Sequence, residues 1–144
     1  MSKRTIHSDF WKHLERKEQG LIDLYLGLRD HILSIHPNSN ELLYHTHALT
    51  SLYSVSEKMS DGFCMIVVYT NHLNLAFNEG TLLPDPHKLL QGTGKLMRHI
   101  PILIESDFKN KNALTLIESA IEMAIEGSTA KTMNQGLTIS KIKN

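Results

Sequence analysis

Residues 89–100, LLQGTGKLMRHI, gather Gly92, Gly94, Lys95, Arg98 and His99 within one short stretch. Residue types of this kind hold anions, and the GTGK at the centre invites comparison with a phosphate loop. That loop needs Gly-x-x-x-x-Gly-Lys-Ser/Thr, so that amides wrap the phosphates and a hydroxyl reaches the metal. Here Leu89 stands at the first glycine position and Leu96 at the hydroxyl position. A dinucleotide loop fails as well, because Met97 occupies the third glycine position. What remains is a tight turn at Gly92 and Gly94 whose amides face an anion beside Lys95 and Arg98. The planar guanidinium of Arg98 suits a carboxylate or phosphate. On a strand, Arg98 and His99 point to opposite faces, so only one of them shares a site with Lys95. The alternative is a glycine turn that merely positions the strand, with Arg98 as structural partner of Asp85 or Glu79.

A second constellation is imidazole-based. His45 and His47 stand two apart in ELLYHTHALTSLYSV, which on a strand puts both rings on one face, as a two-ligand metal clip requires. His72 or His99 would supply a third ligand, for iron or another divalent metal. Leu43 and Leu49 share that face, so packed and hydrogen-bonded histidines are the alternative. Glu118, Glu122 and Glu126 recur every four residues and read either as hard ligands for iron or as a solvated helix face. Cys64, inside the apolar FCMIVVY, reads as a buried, inert thiol. No set of acid, base and nucleophile is legible, so an enzyme is not expected.

The chain that must position these groups has 144 residues, 15 basic and 15 acidic side chains and a single cysteine. That length fits one domain able to bury roughly 68–70% of its unfolded surface. The balanced charge gives no general pull toward nucleic acid or membranes. One cysteine, no apolar leader and no long apolar run point to a soluble cytoplasmic protein.

Residues 8–18 are expected to form a helix capped by Ser8 or Asp9, with Gly20 interrupting. Leu21, Leu24, Leu28, Ile32 and Ile35 make one helical stripe that ends at Pro37. The centre changes period. ELLYHTHALTSLYSV and GFCMIVVYT read as strands, TNH as a tight turn into the alternating LNLAF, and LMRHIPILI as an edge or bulged strand because of Pro101. Leu114, Ile117, Ile121 and Ala124 or Ile125 return to helical spacing, with Gly127 as C-cap. The expected fold is α+β: an antiparallel sheet of about five strands with N- and C-terminal helices packed on one face. The expected division is an N-terminal helical segment (1–18), the main domain (19–127) and a flexible basic C-terminal tail (128–144).

HLNLAF, LLPDP and LLQGTGKLMRHI together resemble the YdhG-like family, a bacterial domain of unknown function, over about residues 19–126. GTGKLMRHI is the most specific portion. The resemblance implies a small α+β domain, and it implies frataxin-like iron carriage for some members. The chain departs from the family at the first strand, which lacks a Trp-Gly-x-Pro-like signature, and at Ala76–Gly80, where Glu79 replaces a basic residue.

The leading expectation is a non-enzymatic binding module that holds a small molecule or anion near Gly92, Gly94, Lys95, Arg98 and His99. The rivals are a frataxin-like metal carrier using His45, His47 and His72 or the acidic helix face of Glu118, Glu122 and Glu126, and a homodimeric interaction domain joined through a sheet edge or the loop TLLPDPHKLL.

Overall fold

Phe10 and Leu14 lie four residues apart on a segment whose other side chains, Trp11 included, are wholly or partly exposed, and both are fully buried. They pin α1 (Ser8–Leu14) to the sheet; His7 caps it, its Nδ1 accepting from the Asp9 amide at 3.0 Å. A computed structural model describes residues 4–128 and 135–143. After α1 come α2 (Gln19–Ile35), the strands β1 (Asn40–His45), β2 (Leu49–Ser54), β3 (Gly62–Val68), β4 (Leu73–Phe77) and β5 (Arg98–Ile102), then α3 (Lys111–Gly127) and β6 (Thr138–Ser140). The fold is α+β: three helices pack against one mixed sheet of six strands, in the order β5-β4-β3-β2-β1-β6. All neighbours are antiparallel except β1 and β6, which run parallel.

Three differences from the sequence expectation have physical causes. ELLYHTHALTSLYSV is two strands, not one, and His47 lies in the turn between them. Gly20 sits inside the first turn of α2 rather than before it, where a helix tolerates glycine. Residues 138–140, expected within a loose tail, form β6. The Asn40 side chain draws in that segment by accepting from the Gln135 and Leu137 amides at 3.1 and 2.9 Å. Glu41 N–H donates to Leu137 at 2.8 Å, Lys141 N–H donates to Leu43 at 2.8 Å, and Ile142 is buried. The rest of the expected tail, 129–134 and 144, lies outside the described residues.

Strand alternation sends Leu43, Leu49, Tyr53, Ile66, Val68, Leu73, Leu75, Phe77, Ile100 and Ile102 to the side of the sheet that shares a core with the helices. The α2 stripe meets them with Leu21, Tyr25, Leu28 and Ile32, and α3 with Ala113, Leu116, Ile117, Ala120 and Ile121. Arg29 falls on the same buried stripe, one turn after Tyr25. Its guanidinium grips the buried Glu41 carboxylate with two bonds, Nε to Oε2 at 2.7 Å and Nη2 to Oε1 at 3.0 Å. Tyr53 and Thr138 hydroxyls donate to the same carboxylate at 2.8 and 3.0 Å, and Ser51 links Tyr53 to Tyr25. Arg29 also donates to the carbonyls of Arg4 and Thr5 at 2.9 and 3.3 Å. Buried charge needs such complete partnering.

Burial also sets a pH response. His31 lies 5.5 Å from the Phe108 ring and His36 6.0 Å from Phe63. Desolvation holds both below the usual imidazole range, helped at His31 by Lys109. The unfolded chain therefore binds these protons more readily than the folded one. Their contribution to stability is full above about pH 6.5 and is lost as pH falls below it. Thermal melts across that range should show the melting temperature dropping toward acid, and His31→Gln should flatten the drop. An unchanged slope in His31→Gln would remove His31 as a cause.

Candidate functional site

Of the residues expected to form an anion site, Gly92, Gly94, Arg98 and His99 come together where β5 meets the loop before it: a Cβ on Gly92 would lie 3.5 Å from Arg98 Cδ and 3.6 Å from His99 Nδ1. Gly92 adopts φ +127°, the left-handed geometry foreseen for a tight turn, whereas Gly94 does not need it. The Arg98 guanidinium turns back on its own loop and donates to the carbonyls of Gly94 and Met97 (2.7 Å to the latter). Its partners are thus carbonyls rather than Asp85 or Glu79; the Asp85 carboxylate instead accepts from the Leu89 and Leu90 amides, both at 2.9 Å. Lys95 is exposed, and its carbonyl accepts from the Thr81 hydroxyl at 3.3 Å. His99 pairs with Ala76 on the opposite face from Arg98, and its backbone exchanges bonds of 2.8 and 2.9 Å with Gln91. This bridge, with Pro101 beyond it, partly covers the sheet edge. Gly92, Arg98 and their neighbours therefore make a braced loop.

The histidines expected to hold a metal are separated. His45 ends β1 against His13 of α1, with ring centroids 4.1 Å apart, while His47 is exposed in the hairpin turn. His72 stacks on Tyr69 at 4.6 Å in the β3–β4 turn. Among the described residues, no three His, Cys, Asp or Glu side chains gather as metal ligands. Glu118, Glu122 and Glu126 are exposed along α3, opposite its buried stripe. Cys64 is fully buried, and desolvation pushes its thiol well above the usual range.

One cavity lies between α3 and the adjoining ends of β3 and β4. Its walls are Phe63, Phe77, Leu83, Ala120, Met123 and Ala124, with Asp61 and Glu79 among the polar lining. Each wall has a local cause. The register of β2 and β3 slips between Tyr53 and Ser54, so that Ser54 faces Gly62. This bulge lets consecutive Phe63 and Cys64 both enter the core, and it turns Phe63 into the cavity. Gly62 permits the turn into β3: a Cβ there would stand 2.7 Å from a Leu52 methyl and 3.0 Å from the Met59 carbonyl. Gly80 lets the 79–83 turn lie directly on Arg98, where a Cβ would collide with the arginine backbone. On α3, small Ala120, Ala124 and Gly127 recur at helical spacing and leave the space open.

Asp61 is held by hydroxyls, not by cations. Its Oδ2 accepts from Ser56 at 2.6 Å and from Ser128 at 3.1 Å. Neither Asp61 nor Glu79 makes an ion pair among the described residues. The arrangement offers an apolar body site with negative charge at its edge and no histidine, lysine or thiol in the lining. Sequence reasoning does not find this cavity. The signal is faint: three small residues in an ordinary amphipathic helix.

Among the described residues, no helix is long and apolar enough to cross a membrane. Compared with models of protein families, with curated proteins and with solved structures, the chain matches none of them.

Proposed function

We propose that the protein is a non-enzymatic binding module for a small molecule with an apolar, aromatic-sized body and a cationic amine. One observation carries this reading: Asp61 and Glu79, without cationic partners among the described residues, line the same cavity as Phe63, Phe77 and Met123. A pocket with an apolar wall and a few placed polar groups is the usual form of a small-ligand site. Aromatic faces add to the attraction for an ammonium group. An anion would meet two carboxylates here, so the charge selects the opposite sign of ligand from the one expected at the glycine loop.

The test compares 2-phenylethylamine with 2-phenylethanol, which has a similar body and no charge. At about ten times its Kd the amine should stabilise the fold by about 1.4 kcal/mol, a rise of about 5 °C in melting temperature. The alcohol should do much less. Glu79→Gln, an exposed position, should keep the unliganded melting temperature and lose most of the amine effect. Ala124→Leu should block both compounds by filling the cavity. Equal stabilisation by alcohol and amine would overturn the cationic reading.

A further inference from the structure

A second cleft, which shares no lining residue with the first and is independent of that reading, opens at the C-terminal end of α1. It is lined by His13, Arg16, Lys17, Glu18, His45, Leu49 and Thr70. The fold builds it for clear reasons. Phe10 and Leu14 anchor α1 in the core, which fixes His13, the neighbour of Leu14, at the sheet end. Glu41, Leu43 and His45 alternate along β1; the first two are buried beneath the helices, so His45 emerges on the same side at the strand end. The rings of His13 and His45 then meet at 4.1 Å with their planes tilted by 38°. Leu49, paired with His45 across the hairpin and buried, forms an apolar floor.

The charge around this pair decides what it can hold. Arg16 and Lys17 contribute two cations and make no ion pair among the described residues. Glu18 is the one carboxylate in the lining. Asp9 and Lys12, both on α1, also act on His13, with opposite signs. A metal ion would meet two like charges, and Glu18 does not gather with the two histidines into a ligand set: among the described residues no three His, Cys, Asp or Glu side chains come together that way. An anion gains from both cations, and from each imidazole once it is protonated. Desolvation, and then His45, Lys12 and Arg16, hold His13 below the usual imidazole range, so the empty cleft resists taking up that proton. A bound anion would reverse the balance.

We propose that the His13–Arg16–Lys17–His45 cleft binds a phosphoryl dianion and takes up protons as it does so. The imidazoles and the guanidinium donate to the phosphoryl oxygens, and Lys17 supplies a further positive charge. By linkage, the affinity for the dianion falls as pH rises through the range in which His13 gives up its proton.

The test is an NMR titration of the full chain with inorganic phosphate at constant ionic strength, at about pH 6 and about pH 8. The ring signals of His13 and His45 should shift and saturate, while most of the nine histidines stay still. Counted per phosphate dianion, with the ionisation of phosphate itself between these two pH values divided out, the affinity should be weaker at the higher pH. Arg16→Ser, at an exposed position, should keep the melting temperature and lose about tenfold in affinity, as expected for one charge-assisted contact. His13→Gln/His45→Gln should abolish that pH dependence and leave only the ionisation of phosphate itself. Phenyl phosphate serves as the second probe. Tighter binding than phosphate would assign the cleft to a phosphoryl group on a larger molecule, and equal binding would assign it to the free anion. Shifts that never saturate, or unchanged affinity in both Arg16→Ser and the histidine double variant, would overturn the proposal.

Discussion

Arg29→Met is expected to lower the melting temperature by about 10 °C or more. The substitution keeps an apolar stem in the α2 stripe but leaves the Glu41 carboxylate, 1% exposed, without its cation. Removing one partner of a buried pair costs about 3–5 kcal/mol, and each kcal/mol shifts a chain of this size by about 3–4 °C. The Arg4 and Thr5 carbonyls lose their donor in the same step, which releases the segment before α1. Arg29→Met/Glu41→Leu should recover a large part of the loss, because it removes the stranded charge as well. Urea unfolding of the two single variants and the double variant gives the coupling directly. A single-variant loss below about 1 kcal/mol would mean that water reaches Glu41 and the pair is not a buried one.

Deleting residues 135–144 should be nearly as damaging. Ile142 leaves the core, at about 1.5–3 kcal/mol for an apolar side chain of that size. The Glu41 amide, the Leu43 carbonyl and the Asn40 side-chain oxygen lose their partners at one sheet edge, and buried polar groups without partners cost about 1–3 kcal/mol each. Thr138 also ceases to cover Glu41. The sum is on the order of 4 kcal/mol even if water satisfies most of the exposed backbone. A shortened chain that melts within about 3 °C of the full one would show that β6 adds little to the sheet.

Much of this fold was legible because spacing alone determines which side chains share a face. The α2 and α3 stripes, the hairpin through residues 70–72 and the edge position of Pro101 all follow from local pattern. The β1–β2 turn was not legible: Thr46, His47 and Ala48 include no glycine, proline or asparagine, and the β-favouring residues on both sides mask the break. β6 escaped for another reason, since Thr138–Ser140 is short and polar and is held by Asn40 and Glu41 from far along the chain. Arg29 could have been found, because a charge four residues after Tyr25 lies on a buried stripe and requires a partner. The candidate cavity depends on a bulge at Phe63 and on the absence of side-chain volume at Ala120 and Ala124, and neither leaves a periodic mark. His13 and His45 are 32 positions apart in sequence, and only the packing of α1 on the sheet joins them.

The parallel strand beside β1 also sets the timing of folding during synthesis. Glu41 and Thr138 are 97 positions apart, so β1 is made long before the strand that completes it. At usual translation speeds the interval is roughly 5–20 s. Throughout it, β2 can pair with one edge of β1 while the other edge, bearing Leu42 and Leu43, stays open to any extended chain nearby. Slower elongation between residues 45 and 138 would lengthen that exposure, and it would raise the share of chains lost to aggregation without altering the stability of those that finish.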